Sequence, residues 1–176
     1  MPIETERLVL RLPTLDDATA AGQLLGDPEV MRFIGGETVP CEAWRDVLGR
    51  WILRWEENGL GPFMVERQED GSFLGRVGIL VWDRRTWTQS TLAGAGAFAQ
   101  PELGWALVRA AWGQGYATEA ARAVLEWVRP RVDSLVSVIA PDNLASRRVA
   151  ERLGAVPAET VRLFDSGDAV VWRYEI

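Results

Sequence analysis

Residues 102–140 leave this chain few folds to choose from. They read as strand (ELGWALV, 102–108), a Gly113-Gln114-Gly115 turn, a helical pattern over 115–129, and a second strand (LVSVIA, 135–140). Ala117, Ala120, Ala121, Val124, Leu125 and Val128 recur at helical spacing and make one apolar face. Pro130 ends that helix, because it lacks an N–H and its ring clashes with the preceding turn. The run 135–140 holds no polar residue larger than Ser137, as a strand buried on both faces requires. Two strands joined through such a helix lie parallel in one sheet, and a ligand belongs at their C-terminal ends.

The flanking segments add strands and helices to this unit. RLVLRL at 7–12 alternates apolar and charged residues, as a half-buried strand does. Thr14 and Asp17 mark a helix start, with the helix predicted to about Leu25, and Asp27-Pro28 opens another short turn. Residues 33–36 read as a break. Trp44, Val47, Leu48, Trp51, Ile52 and Trp55 form a tryptophan stripe on a helix over 41–57, expected to anchor the core. Strands are predicted at 63–67 and 73–82 around a hairpin turn at 69–72. The segment 83–100 has no periodicity and is expected to be a flexible loop beside the site; Pro101 denies its glycines the helix that a dinucleotide-binding turn needs. Asn143 caps a helix over 143–153 that Gly154 closes, and strands at 156–163 and 169–174 pair around 165–168. With no repeat or long linker, residues 1–176 are expected to form one α/β (α+β) domain.

Composition narrows the chemistry. Histidine is absent, which removes Ser-His-Asp and Cys-His nucleophile systems and His-Cys zinc sites, so no metal is expected. A general acid or base must come from a carboxylate, Tyr, Lys, Cys, an amine or a relayed water. The 25 acidic and 19 basic residues give a formal net charge of −6, which disfavours nucleic acid and anionic membrane and suits a cationic acceptor. Cys41 is the lone cysteine, so no intrachain disulfide forms. The lone thiol, the lack of a secretory h-region in the opening residues and the lack of long apolar runs point to the cytoplasm.

The turn between strand and helix carries the chemistry. Gly113 and Gly115 let the backbone bend tightly and approach a ligand. The next amides are the unpaired donors of a helix's first turn, and the helix dipole adds partial positive charge, which together suit a diphosphate. No P-loop lysine and no third Rossmann glycine accompany them, so a nucleoside triphosphate or NAD fits poorly. A plain strand–helix connection is the alternative reading of the same residues.

In these motifs the sequence resembles the GNAT superfamily of N-acetyltransferases, in the branch of RimJ/RimL-type ribosomal-protein N-acetyltransferases. The family signature Arg/Gln-x-x-Gly-x-Gly/Ala is matched at Gly115 and Ala117, with Trp112 in the first place. RLVLRL at 7–12 with DPEVMRFI at 27–34, ELGW at 102–105, and NLAS at 143–146 leading to LGA at 153–155 follow in the family's order and spacing. The resemblance implies a GNAT-like mixed, mostly antiparallel twisted sheet of about seven strands with a splayed central parallel pair, flanked by four helices. It implies acetyl-CoA as cosubstrate and a primary amine, on a small molecule or a peptide N-terminus, as acceptor.

The diphosphate would rest on Gly113, Gln114, Gly115, Tyr116, Ala117 and Thr118, and the pantetheine arm along Leu107 and Val108, flanked by Asn143 and Ser146. Arg109 and Arg148 either reach phosphates or are solvated, and Asn143 also serves as a helix cap. Glu102 is the implied general base for direct attack by the amine, the alternative being a solvated carboxylate at the strand's start. Many relatives place a tyrosine on the last helix to protonate the thiolate; Ala150 stands there, leaving Ser146 or a water. The acceptor walls are expected at 33–36, the tryptophan helix and 86–100. Domains of this type often pair, so a homodimer is an expectation. A non-catalytic acyl-CoA sensor is the alternative function, and an interaction domain indifferent to coenzyme A a third.

Overall fold

A computed structural model describes residues 2–35, 37–163 and 167–176. Its nine strands are β1 (Ile3–Glu4), β2 (Leu8–Arg11), β3 (Pro62–Arg67), β4 (Phe73–Asp83), β5 (Thr88–Gln89), β6 (Ala99–Leu107), β7 (Val136–Ile139), β8 (Val156–Leu163) and β9 (Gly167–Arg173). They form one sheet in the order β1-β2-β3-β4-β6-β7-β9-β8, with β5 folded back on β4. β6 and β7 run parallel, as expected of residues 102–140, and the other pairings are antiparallel. The strands beyond the seven expected are the two-residue β1 and β5.

Four helices match the predicted ones: α1 (Ala18–Leu25), α3 (Trp44–Asn58), α5 (Tyr116–Val128) and α6 (Leu144–Arg152). The single turn α2 (Pro28–Met31) stands where Asp27-Pro28 predicted a short turn, and the single turn α4 (Leu92–Ala95) is additional. Among the described residues, no helix is long and apolar enough to cross a membrane.

The sheet separates two packed layers. Along β3, Phe63 and Val65 point to one face and Met64 to the other, as strand alternation requires. The first layer packs α5, through Ala120, Ala121, Val124, Leu125 and Val128, onto Leu8, Leu10, Val77, Ile79 and Leu103. Each large apolar side chain buried this way contributes roughly 1.5–3 kcal/mol. Tyr116 joins this layer, whereas Ala117, expected on the inner face, is half-buried. The second layer sets α1 and α3 against Met64 through Ala21, Leu25, Val47, Leu48 and Trp51. The tryptophan stripe does anchor the core: Trp44 packs so tightly on Gly22 that a Cβ there would come within 2.3 Å of its ring. Trp55 meets Phe63 edge-on at 4.7 Å.

Asp17 ties β2, β3 and the start of α1 together. Its Oδ2 accepts the Thr14 amide at 2.7 Å, and Arg11 bridges it to Glu66, both contacts at 2.6 Å. Burial pushes the Asp17 carboxyl up, but the bonds from Arg11 and Thr14 outweigh it and hold the group below the ordinary carboxylate range.

The segment 83–100, expected as a flexible loop, is structured. Asp83 accepts the Arg85 amide at 3.0 Å and turns the chain; Thr88 and Gln89 pair back onto Asp83 and Trp82. Thr91 caps α4 by accepting the Gly94 amide at 2.9 Å, and a 3-10 turn at Gly96–Phe98 delivers the chain to β6. Turn and capping bonds order this stretch, so it carries no hydrophobic period to read. Gly36 of the predicted break, and residues 164–166 in and beside the predicted last turn, lie outside the described residues.

Candidate active site

β6 and β7 are joined by one backbone pair, Glu102 with Val136, and then part. Two side chains fill the ladder where they separate. Glu102 Oε1 accepts the Val138 amide at 3.3 Å, and the Ser137 hydroxyl donates to the Leu103 carbonyl at 2.6 Å. Ser137 Oγ also lies 2.9 Å from the Tyr174 hydroxyl; since its own proton goes to Leu103, Tyr174 is the donor to Ser137. Buried polar groups at the split are thereby paired without closing it.

A groove of about 410 Å³ opens on one side of the split, lined by Trp105, Ala106, Leu107, Gly113, Gly115, Tyr116, Ala117 and Thr118 with Asn143, Ser146 and Arg148. Gly113 and Gly115 have φ of 74° and 83°, the left-handed region that a side chain disfavours. Gly115 is the N-cap of α5, whose first intrahelical bond runs from the Glu119 amide to Gly115 at 3.1 Å. The amides of residues 113–118 donate to no carbonyl among the described residues. Six free donors, a helix N-terminus and an open groove fit the diphosphate of a coenzyme A. Arg7 clamps the turn from β2's side: it bonds Glu119 at 2.7 Å and the Gln114 carbonyl at 3.1 Å, and lies over the Tyr116 ring at 4.5 Å.

A second cleft, about 540 Å³, opens on the other side and ends at Glu102. Glu102 is the fourth residue of β6 and only 7% exposed, which corrects the alternative of a solvated carboxylate at the strand's start. Its Oε2 accepts the Trp82 indole N–H at 2.5 Å. Burial pushes its carboxyl up, opposed by Trp82, the Val138 amide and the charge of Arg76. Trp82, Trp87 and Trp105 give the cleft its aromatic walls, with Phe33, Ile34 and Gly35 across from them. The tryptophan helix, expected as a wall, contributes none of its indoles because they pack into the core.

Both clefts are lined by Trp105, Asn143 and Ser146. Asn143 caps α6 by accepting the Ser146 amide at 3.1 Å, and Ser146 Oγ accepts the Trp105 indole at 3.2 Å. Of the expected site residues, Leu107, Gly113, Gly115, Tyr116, Ala117 and Thr118 line the first groove, Glu102 the second, and Asn143 and Ser146 both, whereas Gln114 lines neither and gives its carbonyl to Arg7. Val108 stands apart, its amide donating to Leu74 at 2.9 Å, and the Leu107 carbonyl is taken by the Trp112 indole at 2.7 Å. Ala150 is fully buried and lines neither cleft. Sequence reasoning missed Arg76, Trp82 and Ser137; an arginine inside the apolar run at 73–82 was the signal available. Among the described residues, no group of three His, Cys, Asp or Glu could hold a metal ion.

Comparison with known proteins places this geometry. Residues 7–156 match the family model described as an acetyltransferase (GNAT) domain. The sequence is 32% identical over 175 residues to YkkB of Bacillus subtilis (strain 168), spanning 96% of this chain and 93% of that one. An acetyltransferase from Agrobacterium tumefaciens strain C58 has the same fold with a TM-score of 0.79 and 30% identity, across 100% of this chain and 95% of its own. RimL, a ribosomal L7/L12 α-N-protein acetyltransferase solved in complex with coenzyme A, shares the fold at a TM-score of 0.79 and 17% identity, across 100% of this chain and 98% of that one. By sequence over most of its length and by fold over all of it, the chain belongs to the GNAT family of acetyltransferases.

Proposed function

We propose that this acetyltransferase uses acetyl-CoA, bound along the groove at 113–118, to acetylate a primary amine that enters the cleft ending at Glu102. The observation that carries the reading is the junction: Trp105, Asn143 and Ser146 line both clefts where the parallel pair divides. Acetyl-CoA, when bound, supplies the activated acyl thioester. The residues supply the rest. A primary amine has a pKa of about 10.4 and arrives protonated at neutral pH. Glu102 takes that proton: burial makes it a stronger base than an exposed carboxylate, and the Trp82 and Val138 donors hold it in place. Ser146 accepts from Trp105, so its own O–H remains free to donate toward the leaving sulfur. We assign the chain to the cytoplasm, where its exposed, lone Cys41 stays reduced.

Calorimetric titration with acetyl-CoA tests the groove, with Gly115→Glu as the comparison. That variant strains a left-handed position and sets a negative charge against the diphosphate. Binding by wild type and loss in the variant support the reading, and thiol release with a panel of amines completes it. Binding with no thiol release from any amine would instead identify a sensor.

A further inference from the structure

Arg76 faces the Glu102 cleft with no partner of its own. It is 8% exposed on β4, where the ladder sets it beside Met64 and Ala106, and its guanidinium carbon lies 5.4 Å from the centre of the Trp51 ring. It forms no ion pair and donates no side-chain hydrogen bond among the described residues; the charges that reach it are those of Glu102 and Arg54. Its nitrogens are not sealed in the core, where Trp172 Nε1 is the buried polar side-chain atom left without a partner. They open onto the cleft, which Arg76 lines together with Glu102. A buried guanidinium facing a cavity, with a carboxylate near enough to feel its charge but none bonded to it, is a site prepared for an anion.

Gly104 keeps space clear beside Glu102. In the β4–β6 register Gly78 pairs with Gly104, between the Arg76–Ala106 and Leu80–Glu102 pairs. A Cβ at Gly104 would meet only Glu102 Oε1, at 3.9 Å. Glu102 spends its oxygens on Trp82 and Val138 rather than on Arg76. A cation acceptor and an anion acceptor thus face one cavity beside the open Gly104 position without joining each other, while the Gly78 position is closed by the Gly61 carbonyl, 2.3 Å from where a Cβ would lie.

We propose that Arg76 is the anion subsite of the acceptor cleft, and that the acceptors are amines bearing a carboxylate a few bonds away, as α-amino acids do. The proposal rests on the reading of this cleft as the amine site. The ammonium is drawn to Glu102 and the carboxylate to the Arg76 fork, so the pair fixes orientation as well as charge.

The test pairs several α-amino acids with their carboxamides and adds aminoethyl phosphate. Transfer is read by thiol release, and binding separately by thermal shift. Wild type should favour acids over carboxamides by about 100-fold in kcat/KM, because an amide leaves the buried charge unpaired. Arg76→Met should reduce that margin to about threefold or less, and Arg76→Lys should keep part of it. Acetyl-CoA affinity, whose groove Arg76 does not line, reports that both variants fold. If no amine is acetylated yet the acids still stabilise wild type and not Arg76→Met, the anion subsite stands and the transferase reading falls. Equal use of acids and carboxamides, a margin that survives Arg76→Met, or a preference for aminoethyl phosphate over the acids overturns the proposal.

Discussion

Glu102 and Val138 meet where the sheet comes apart. The carboxylate accepts the Val138 amide at 3.3 Å, two residues past the Glu102–Val136 pair that joins β6 to β7. A side chain occupies the ladder position that a strand carbonyl would otherwise hold. The proposed base is therefore positioned by the same feature that opens the sheet, and its lone pairs are fixed by Val138 and Trp82 rather than by solvent.

Turnover should track the ionised fraction of Glu102. The rate rises as pH increases through the pKa of this group, which burial holds above the usual carboxylate range. Trp82→Phe removes a donor that favours the ionised form, so the acid limb of the kcat profile should move to higher pH. Profiles of the two proteins that coincide on the acid side would contradict the role given to this bond.

Ser137 and Tyr174 should contribute unequally to stability. Burial pushes the Tyr174 phenol up to about 12, so it keeps its proton and donates a hydrogen bond to Ser137. Ser137→Ala leaves both the Leu103 carbonyl and the phenol unpaired and should cost about 1–3 kcal/mol. Tyr174→Phe leaves the Ser137–Leu103 bond intact and should cost about 1 kcal/mol. Urea unfolding measures both, and a larger loss in Tyr174→Phe would reverse the assignment of donor and acceptor.

Legibility in the sequence followed the range of the interactions. The crossover unit, α5 and the Asn143 cap could be read because their signals are local: a 3.6-residue period, a Gly-x-Gly turn, an Asn before a helix. The surroundings of Glu102 could not, because Trp82 and Val138 come from 20 and 36 residues away and only strand register brings them together. The tryptophan stripe packs in the core as its spacing predicts and is not the expected wall, since periodicity gives a face and not what that face meets. Arg76 was visible as a charge in an apolar run, but the cavity it faces depends on how β4 aligns with β6.

The Asp17 network should impose an acid limit on stability. Its folded-state pKa lies below the unfolded value, so its contribution is present above the unfolded pKa and is lost as pH falls through the folded one. Asp17→Asn should destabilise by about 1–3 kcal/mol at pH 7 and flatten this acid dependence. Chemical unfolding at pH 7 and pH 3 measures both effects; equal acid sensitivity in the two proteins would contradict the assignment.

Gly104 should control the size of the acceptor site without affecting the fold. A valine there has room in the ladder, yet its methyls project beside Glu102 into the cleft. Gly104→Val should raise the acceptor KM about tenfold or more, with acetyl-CoA affinity held within about twofold. Unchanged acceptor KM would show that the amine enters elsewhere.

The most direct test of the account is amine-dependent thiol release from acetyl-CoA by wild type and Glu102→Gln at one saturating acceptor concentration. The amide keeps the shape of Glu102 and removes its capacity to take a proton. With Glu102 as the base, kcat should fall by about 100- to 10,000-fold with acetyl-CoA affinity unchanged. Equal turnover in the two proteins would show that the carboxylate only braces the split strands and that the base lies elsewhere.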